Sequence, residues 1–357
     1  MKITRVTTHH HRTDFTYGAS TGGVGGNLHL KAMDTLLVRV ETDAGIHGWG
    51  EGFGFTLAGT TKDAVDRLIG PACIGQDARD IAGLTRMLAR RFHNFGRNGP
   101  VTFGLSAIDI ALWDIRAKAE GKPLHALLGS AARTAVPAYA SLLRYGKPDD
   151  VARNVTEALA RGYRHIKLHE VDLACIRAAH QAAPETPLML DINCAWDTEG
   201  EAIEFCEAVQ PLNAAWVEEP IWPPEDIPAI VRIRAASDVP IAAGECNGTV
   251  EDFCRMFELR AVDVAQPSIT KIGGLSAMLE IAELAREAGV RLVPHCPYFG
   301  PGLLATLHFL AATEEAEPIE IYFADLASAP YGEALVPKAG MIAVPTGPGL
   351  GYEPSPG

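Results

Sequence analysis

Positive charge is scarce in this chain. Its 357 residues carry 31 Lys and Arg against 44 Asp and Glu, which gives a formal net charge of −13. Because a nucleic-acid-binding protein usually presents a basic face, this balance argues against that class. The sequence also shows no apolar run long enough to cross a bilayer and no signal-peptide pattern at its start. We therefore expect a cytoplasmic protein with neither a nucleic-acid nor a membrane partner.

Paired cysteines and nucleotide-binding motifs are missing as well. The seven cysteines form no CxxC motif and are odd in number, so we expect reduced, mostly buried thiols and neither a disulfide framework nor a zinc site. The glycine-rich segment 17–27 lacks the spacing and the following helix of a phosphate-binding loop. We expect it to be a mobile loop.

What the first third of the chain does contain is an α+β pattern. Residues 35–41 alternate as a strand, a turn follows at 43–45, and 46–52 returns as the second strand of a hairpin. Residues 61–95 and 104–120 have helical spacing, and the second stretch stops at a glycine followed by a proline. We predict an α+β domain over residues 1–130.

From residue 135 the pattern changes to eight short apolar runs that alternate with helical stretches. One polar residue lies near the end of each run from the second onward, in steps of 21 to 29 residues: Lys167, Asp191, Glu218, Glu245, Gln266, His295 and Glu320. That step is the length of one βα unit. We predict a (β/α)7β modified TIM barrel over 131–325, with the tail 326–357 returning to the N-terminal domain as part of its cap.

Asp191, Glu218 and Glu245 are the strongest chemical signal in the barrel. They end successive strands at equal intervals of 27 residues, so we expect their carboxylates side by side at one rim. Clustered buried carboxylates repel one another unless a cation lies between them, and oxygen-only ligands favour Mg²⁺. The alternative is three surface acids at helix N-termini, which the common phase on consecutive strands disfavours.

Lys167, His169 and His295 are the candidate proton-transfer groups. Lys167 and His169 alternate on one strand and therefore share a face, and a lysine inside the barrel is tolerable only beside charge. Two alternatives stay open, namely that Lys167 only neutralises the acids and that His169 is a hydrogen-bonded wall residue. His295 ends the seventh run, across the barrel, and histidine exchanges protons near neutral pH. A metal with bases on two sides suits removal of the proton α to a carboxylate.

The motifs around these residues resemble one known family. The series DIN (191–193), VEEP (217–220), GEC (244–246) and KIGG (271–274), with the helix AIDIALWDIRAKAEGKPL (107–124), is similar to the mandelate racemase / muconate lactonizing enzyme branch of the enolase superfamily. The resemblance covers essentially the whole chain. It implies the capped barrel, Mg²⁺ on the three carboxylates and α-proton abstraction from a small carboxylate substrate through a metal-stabilised enediolate. It also implies a homo-oligomer, from dimer to octamer.

The resemblance also assigns residues around the metal. The family's catalytic lysine matches Lys167, and its strand-seven histidine matches His295. Asn193 and Glu219 match positions that flank the metal ligands, and in a regular strand Glu219 would face away from Glu218. We expect Asn193 and Glu219 to contact the metal ligands or the substrate, with Glu219 serving as a salt-bridge partner or as a support behind the ligands.

The chain departs from the family's pattern at two places, and a third position is ambiguous. His169 stands where the strand-two motif usually has a second lysine. Ser268 stands where the mandelate-racemase type has the aspartate that orients its histidine, and where the muconate-lactonizing type has a lysine. The acid of strand eight is either Glu320 or Asp325.

These observations predict a Mg²⁺-dependent lyase or isomerase. Dehydration of a hydroxylated acid, such as a sugar acid, needs one base and one acid, which Lys167 or His169 and His295 supply. Racemisation or epimerisation needs bases on both faces and fits the same residues. Lactone cycloisomerisation and a non-catalytic relative that binds a metal and an anion are the remaining alternatives.

Overall fold

The computed structural model describes residues 1–18, 32–129 and 133–355. The predicted mobile loop at 17–27 lies outside the described residues from position 19 onward. No helix within the described ranges is both long enough and apolar enough for a transmembrane segment.

The N-terminal domain is an antiparallel sheet covered by helices. Its strands are β1 (Ile3–Thr16), β2 (Ala32–Thr42) and β3 (His47–Gly52), with β2 between the other two. Its helices are α1 (Ala58–Ala64), a π-helical turn (Val65–Ile69), α2 (Gly70–Cys73), α3 (Ile81–Arg91), α4 (Pro100–Ala119) and α5 (His125–Leu128), with 3₁₀ turns at Phe55–Leu57 and His93–Phe95. The predicted hairpin is β2–β3, whose turn contains Gly45 at a φ of 73°.

The predicted helix over 61–95 is wrong in its middle. The chain leaves the helix after Cys73 and begins a new one at Ile81, because Gly75 takes a φ of 79° and Asp80 caps the next helix by accepting a hydrogen bond from the N–H of Gly83. The helix predicted over 104–120 begins earlier, at Pro100, since proline is well placed in the first helical turn.

The second part of the chain is a curled parallel sheet whose strands alternate with helices. The strands are β4 (Ala135–Leu142), β5 (Ile166–Leu168), β6 (Leu188–Asp191), β7 (Ala214–Glu218), β8 (Ile241–Ala243), β9 (Val264–Ala265), β10 (Arg291–Leu292) and β11 (Ile319–Tyr322). The helices are α6 (Pro148–Ala160), α7 (Leu173–Ala182), α8 (Glu199–Val209), α9 (Ile227–Ala236), α10 (Val250–Glu258), α11 (Leu275–Ala288) and α12 (Pro301–Ala312), with a 3₁₀ turn at Gln210–Leu212 after α8. The strands follow chain order from β4 to β10, and β11 pairs with β4 on its other side.

The two ends of this sheet are linked through a side chain. The N–H of Cys296, in the segment after β10, donates to the Oε2 atom of Glu320 on β11, 2.8 Å away. The sheet therefore curls round an enclosed interior, as the predicted barrel requires, and the eight strands with their seven connecting helices confirm the predicted fold class.

Apolar side chains fill the lower part of the barrel interior. They form one buried cluster: Tyr139, Met189, Trp216, Ala242, Val264 and Val293. Because side chains two residues apart share a face of a strand, Met189 lies below Asp191, and Trp216 below Glu218. The polar layer at the carboxyl ends of the strands thus rests on a packed hydrophobic floor.

The C-terminal tail contacts both parts of the molecule. Strand β12 (Asp325–Leu326) pairs with β1, and β13 (Met341–Ala343) pairs with β4, with a 3₁₀ turn at Gly332–Leu335 between them. Farther on, the N–H of Leu350 donates to Asp114 at 2.8 Å, and Glu353 accepts a hydrogen bond from Lys118 at 2.7 Å. These contacts hold the tail against helix α4 of the N-terminal domain.

Candidate active site

Three carboxylates converge at the carboxyl ends of neighbouring strands. Asp191 and Glu218 are the last residues of β6 and β7 and are paired in register, and Glu245 lies two residues beyond the end of β8. Each offers an oxygen, and these oxygens all lie within 4.8 Å of one another. The equal spacing of the three acids in the sequence therefore corresponds to one cluster in space.

This cluster fits a hard divalent cation. Its donors are all oxygens, and Asp191 and Glu218 are completely buried. Burial and then the neighbouring charge of Asp191 raise the pKa of Glu218 well above its usual range, so a cation between the two would relieve a real repulsion. The Oδ2 atom of Asp191 is buried and lies 2.9 Å from Lys167 Nζ and 3.3 Å from His169 Nε2. The all-oxygen donor set and the mutual repulsion of these buried carboxylates together fit a metal site.

Two neighbouring side chains orient the central carboxylate. The Oε2 atom of Glu218 accepts hydrogen bonds from Gln266 Nε2 at 2.8 Å and from Trp216 Nε1 at 3.2 Å. Oε1 of Glu218 faces Lys167. Such outer contacts hold a metal-binding carboxylate in one orientation.

Lys167 lies on β5 and is fully buried beside the cluster. Its Nζ atom is 2.9 Å from Asp191, 2.9 Å from Glu218 and 3.1 Å from Glu320. Burial lowers the pKa of Lys167, but these carboxylates outweigh burial and hold the pKa well above its usual value. The ammonium form is therefore stabilised for as long as the carboxylates carry their charge.

His169, two residues along, is held by the main chain. Its Nδ1 atom donates to the carbonyl oxygen of Leu142 at 2.6 Å, and its Nε2 atom lies 3.3 Å from Asp191 Oδ2. The predicted hydrogen-bonded wall position is thus present, and the same geometry points the second ring nitrogen into the carboxylate cluster.

His295 lies on the other wall, five strands from Lys167 in sheet order. Its Nε2 atom is 2.7 Å from Glu245 Oε2, and its Nδ1 atom is 2.8 Å from Ser268 Oγ. The Ser268 hydroxyl is in turn hydrogen-bonded to the hydroxyl of Tyr298. The sequence did not show which group contacts Nδ1. In the structure it is the buried hydroxyl of Ser268, which is supported by the hydroxyl of Tyr298.

Tyr298 is the site residue that the sequence did not reveal. It lies three residues after His295 and is 5% exposed. A tyrosine at this place in the sequence is indistinguishable from an ordinary core residue. The only signal was negative, namely that Ser268 is too short and too weakly polar to replace an aspartate alone.

The acid of strand eight is Glu320. Its carboxylate contacts Lys167 and accepts hydrogen bonds from Ser141 Oγ and from the N–H of Cys296, each at 2.8 Å. Asp325, the other candidate, is outside the barrel and forms an ion pair with Arg161 at 2.9 Å.

Asn193 and Glu219 flank the metal ligands in different ways. Asn193 donates through its side chain to Asp191 Oδ1 at 2.8 Å. Glu219 has a φ of 48°, so the regular strand ends before it, and its Oε1 atom accepts from the N–H of Gly244 at 2.9 Å. Burial, followed by the charge of Glu245, raises the pKa of Glu219 to about 7.

Comparison with known proteins assigns both halves of the chain to described domain families. Residues 29–129 match the mandelate racemase / muconate lactonizing enzyme N-terminal domain, and residues 150–357 match the enolase C-terminal domain-like family.

Similar proteins of known activity or structure cover almost the whole chain. D-galactarolactone cycloisomerase of Agrobacterium fabrum is 34% identical, over 99% of this chain and 96% of that protein. D-galactonate dehydratase of Ralstonia nicotianae is 30% identical, over 89% of this chain and 88% of that protein. The crystal structure of a racemase from Streptomyces coelicolor A3(2) with bound magnesium superposes with a TM-score of 0.85 at 26% identity, covering 98% of this chain and 96% of the other.

Proposed function

The chain belongs to the mandelate racemase / muconate lactonizing enzyme family of the enolase superfamily, and from this premise we propose that it is a Mg²⁺-dependent sugar-acid dehydratase. Membership of the family confirms the resemblance seen in the sequence and makes the chain an enzyme of the lyase or isomerase class. The proposed reaction removes the proton α to the carboxylate and expels the β-hydroxyl as water.

One observation carries the proposal: the carboxylate triad has a proton-transfer group on each side. Lys167 contacts Asp191 and Glu218, and His295 contacts Glu245. Mg²⁺ on the triad would hold the substrate carboxylate and neutralise the negative charge that develops on it. The α-carbon and β-carbon of such a substrate would then lie between the two side chains.

Lys167 is the proposed base. The charges of Asp191, Glu218 and Glu320 hold the pKa of Lys167 above its usual value, and a metal bound by Asp191 and Glu218 would offset two of these charges and make Lys167 a better base. Glu320 is not one of the three predicted ligands, and it remains to receive and orient the resulting ammonium group. The loaded site therefore couples ligand binding to the basicity of Lys167.

His295 is the proposed acid. It donates a proton to the departing hydroxyl, so the C–O bond breaks and water leaves while the electrons of the broken C–H bond form the new C=C bond. The resulting enol rearranges to a 2-keto-3-deoxy acid. The hydrogen bond with Ser268 at Nδ1 keeps the other ring nitrogen directed into the site.

Cycloisomerisation is the second candidate function. The observation that favours it is the 34% identity over 99% of the chain with D-galactarolactone cycloisomerase. The same deprotonated intermediate can expel a β-oxygen that belongs to a ring, which opens the ring without loss of mass. Lys167 and His295 would keep their roles.

A screen of sugar acids and their lactones in D₂O with Mg²⁺ tests the proposal. A dehydratase yields a product lighter than its substrate by one water, with a deuteron from the solvent. A cycloisomerase gives a product of unchanged atomic composition, and a racemase or epimerase gives the stereoisomer with deuterium at the α-carbon. Absence of both product and α-proton exchange across the library, with the metal shown to be bound, would contradict an enzymatic role.

Two further expectations remain proposals. We infer a homo-oligomer, from dimer to octamer, and a cytoplasmic location. Light scattering on the purified protein tests the first, and fractionation of the source cells tests the second.

A further inference from the structure

The three strand ends that carry the carboxylate triad also carry a second, different set of donors. Cys194 follows Asp191 by three residues, Glu219 follows Glu218, and Cys246 follows Glu245. Each residue of the second set offers one sulfur or oxygen atom, and these atoms lie within 4.8 Å of one another. The sequence could not show this cluster, since the two cysteines are 52 residues apart and form no motif.

Glu219 has an oxygen that is not fully satisfied within this cluster. The side chain is buried, with 2% of the residue exposed. Its Oε1 atom accepts from the main-chain N–H of Gly244, but within the described part of the chain the hydrogen bond at Oε2 comes only from the thiol of Cys194, at 3.9 Å. A sulfur donor at that distance is a weak partner for a buried carboxylate.

The donor chemistry of the cluster differs from that of the triad. Sulfur ligands select thiophilic metals such as Zn²⁺, whereas Mg²⁺ takes oxygen ligands. We propose that Cys194, Glu219 and Cys246 form a binding site for a thiophilic divalent cation, distinct from the oxygen site of Asp191, Glu218 and Glu245.

The dimensions of the cluster are close to those of a zinc site. Zn–S bonds of about 2.3 Å in a tetrahedral site place two sulfurs about 3.8 Å apart. Donor atoms within 4.8 Å of one another need to move by about 1 Å or less to reach that spacing. Cys194 and Cys246 are each only partly buried, so an ion from solvent can reach them. Three protein ligands leave the fourth position for water.

The backbone conformation at the carboxyl ends of the strands brings the three residues of the cluster together. Cys194 and Glu219 have φ values of 56° and 48°, which turn their side chains away from the regular strand direction. The N–H of Cys194 donates to the carbonyl oxygen of Glu219 at 2.8 Å and fixes the two turns against each other. The carbonyl oxygen of Cys246 is held by Asn98 of the N-terminal domain at 2.8 Å.

Cadmium is a suitable probe, because bound thiolates give it a near-ultraviolet charge-transfer absorption. Reduced protein, freed of metal and saturated with Mg²⁺, is titrated with Cd²⁺. We expect one Cd²⁺ per chain with a two-thiolate band. Cys194→Ser and Cys246→Ser should each weaken binding at least tenfold and halve the band. Cys254→Ser is the matched control, since Cys254 is also beside a carboxylate, Glu258, at 3.7 Å but is outside the cluster.

A second measurement uses the unaltered protein. Zn²⁺ should protect Cys194 and Cys246 from alkylation by iodoacetamide, as mapped by mass spectrometry, while Cys254 continues to react. The proposal is overturned if the wild type gives no band, if the band survives loss of both cysteines, or if Zn²⁺ protects neither thiol. These readouts do not depend on catalytic activity, so they stand apart from the proposed dehydration.

Discussion

The Nδ1 atom of His295 lies 2.8 Å from the hydroxyl of Ser268. In the mandelate-racemase type the corresponding partner is an aspartate, so an uncharged group here takes the place of a carboxylate. Tyr298 supports the serine by a further hydrogen bond. Because a hydroxyl can donate or accept, the pair can follow His295 through both of its protonation states without adding charge.

This relationship predicts the effect of removing the hydroxyl chain. Ser268→Ala should lower kcat about tenfold and leave KM nearly unchanged, since one neutral hydrogen bond contributes on the order of 1 kcal/mol and orients a group used in the chemical step. Tyr298→Phe should have a smaller effect in the same direction, and Ser268→Thr should retain most of the activity. Steady-state kinetics measure both constants. Ser237→Ala, at the opposite end of the barrel, is the control, and an equal loss there would contradict a positioning role.

Substitution of Lys167 and of His295 should separate the two proton transfers of the proposed reaction. In a dehydratase, His295→Asn abolishes product formation while exchange of the α-proton with D₂O survives, because the leaving hydroxyl loses its acid but the base remains. Lys167→Ala abolishes both. Proton NMR of the substrate in D₂O measures the exchange. If His295→Asn abolished exchange while Lys167→Ala retained it, the two roles would be reversed.

Metal affinity should depend on each member of the triad. Glu245→Gln removes one of three negative charges and should weaken Mg²⁺ binding by at least tenfold, with activity falling in parallel at limiting Mg²⁺. Calorimetric titration of EDTA-stripped protein measures the affinity, and adding back Mg²⁺ should restore the activity of the wild type. Full activity of stripped protein without added metal would rule out the proposed cofactor.

The barrel was predictable because its signal is repetitive. Eight apolar runs at the spacing of a βα unit, with a polar residue near the end of each run from the second onward, leave few alternative folds. The acids at equal intervals indicated which strand ends meet. The helix break at 74–80 was not predictable from periodicity, because it depends on a left-handed glycine and a cap at Asp80. The helical spacing of apolar residues continues across such a break, so the spacing does not show where one helix ends and the next begins.

Near the site, the sequence did not predict the role of residues whose function depends on a contact with another side chain. Glu320 and Asp325 are both acids near the end of one strand, and only the direction of each side chain separates a barrel interior from a surface ion pair. Tyr298 and the Cys194–Glu219–Cys246 cluster depend on contacts between separate loops, which no local pattern encodes.

The two acids of strand eight give a matched pair of variants. Glu320→Gln should lower kcat at least tenfold, since the buried carboxylate contacts Lys167 and links β11 to the segment after β10. Asp325→Asn should leave activity within twofold, because an exposed ion pair contributes little. Kinetics and thermal unfolding are measured on both. Equal effects of the two substitutions would show that Glu320 has no special function.

Glu51 predicts a pH dependence of stability that arises outside the metal cluster. This carboxylate on β3 is 4% exposed and accepts hydrogen bonds from the N–H groups of Gly300 and Gly302, at 3.1 and 2.8 Å. Burial raises its pKa from 4.5 to about 7 despite these bonds. Between those values the folded protein binds more protons than the unfolded chain, so this group's contribution to stability falls as pH rises.

Glu51→Gln should remove that dependence. A shift of this size corresponds to about 3 kcal/mol, so the variant should gain up to that amount over the wild type between pH 5 and pH 8. Urea unfolding at the two pH values measures the difference. Asp109→Asn is the control. Burial raises the pKa of Asp109 to about 6, so the change in stability with pH that this residue contributes should be complete at a lower pH than the change that Glu51 contributes. If the wild type and Glu51→Gln keep a constant difference in stability across this range, the carboxyl group of Glu51 does not titrate there, and its two N–H donors hold it ionised throughout.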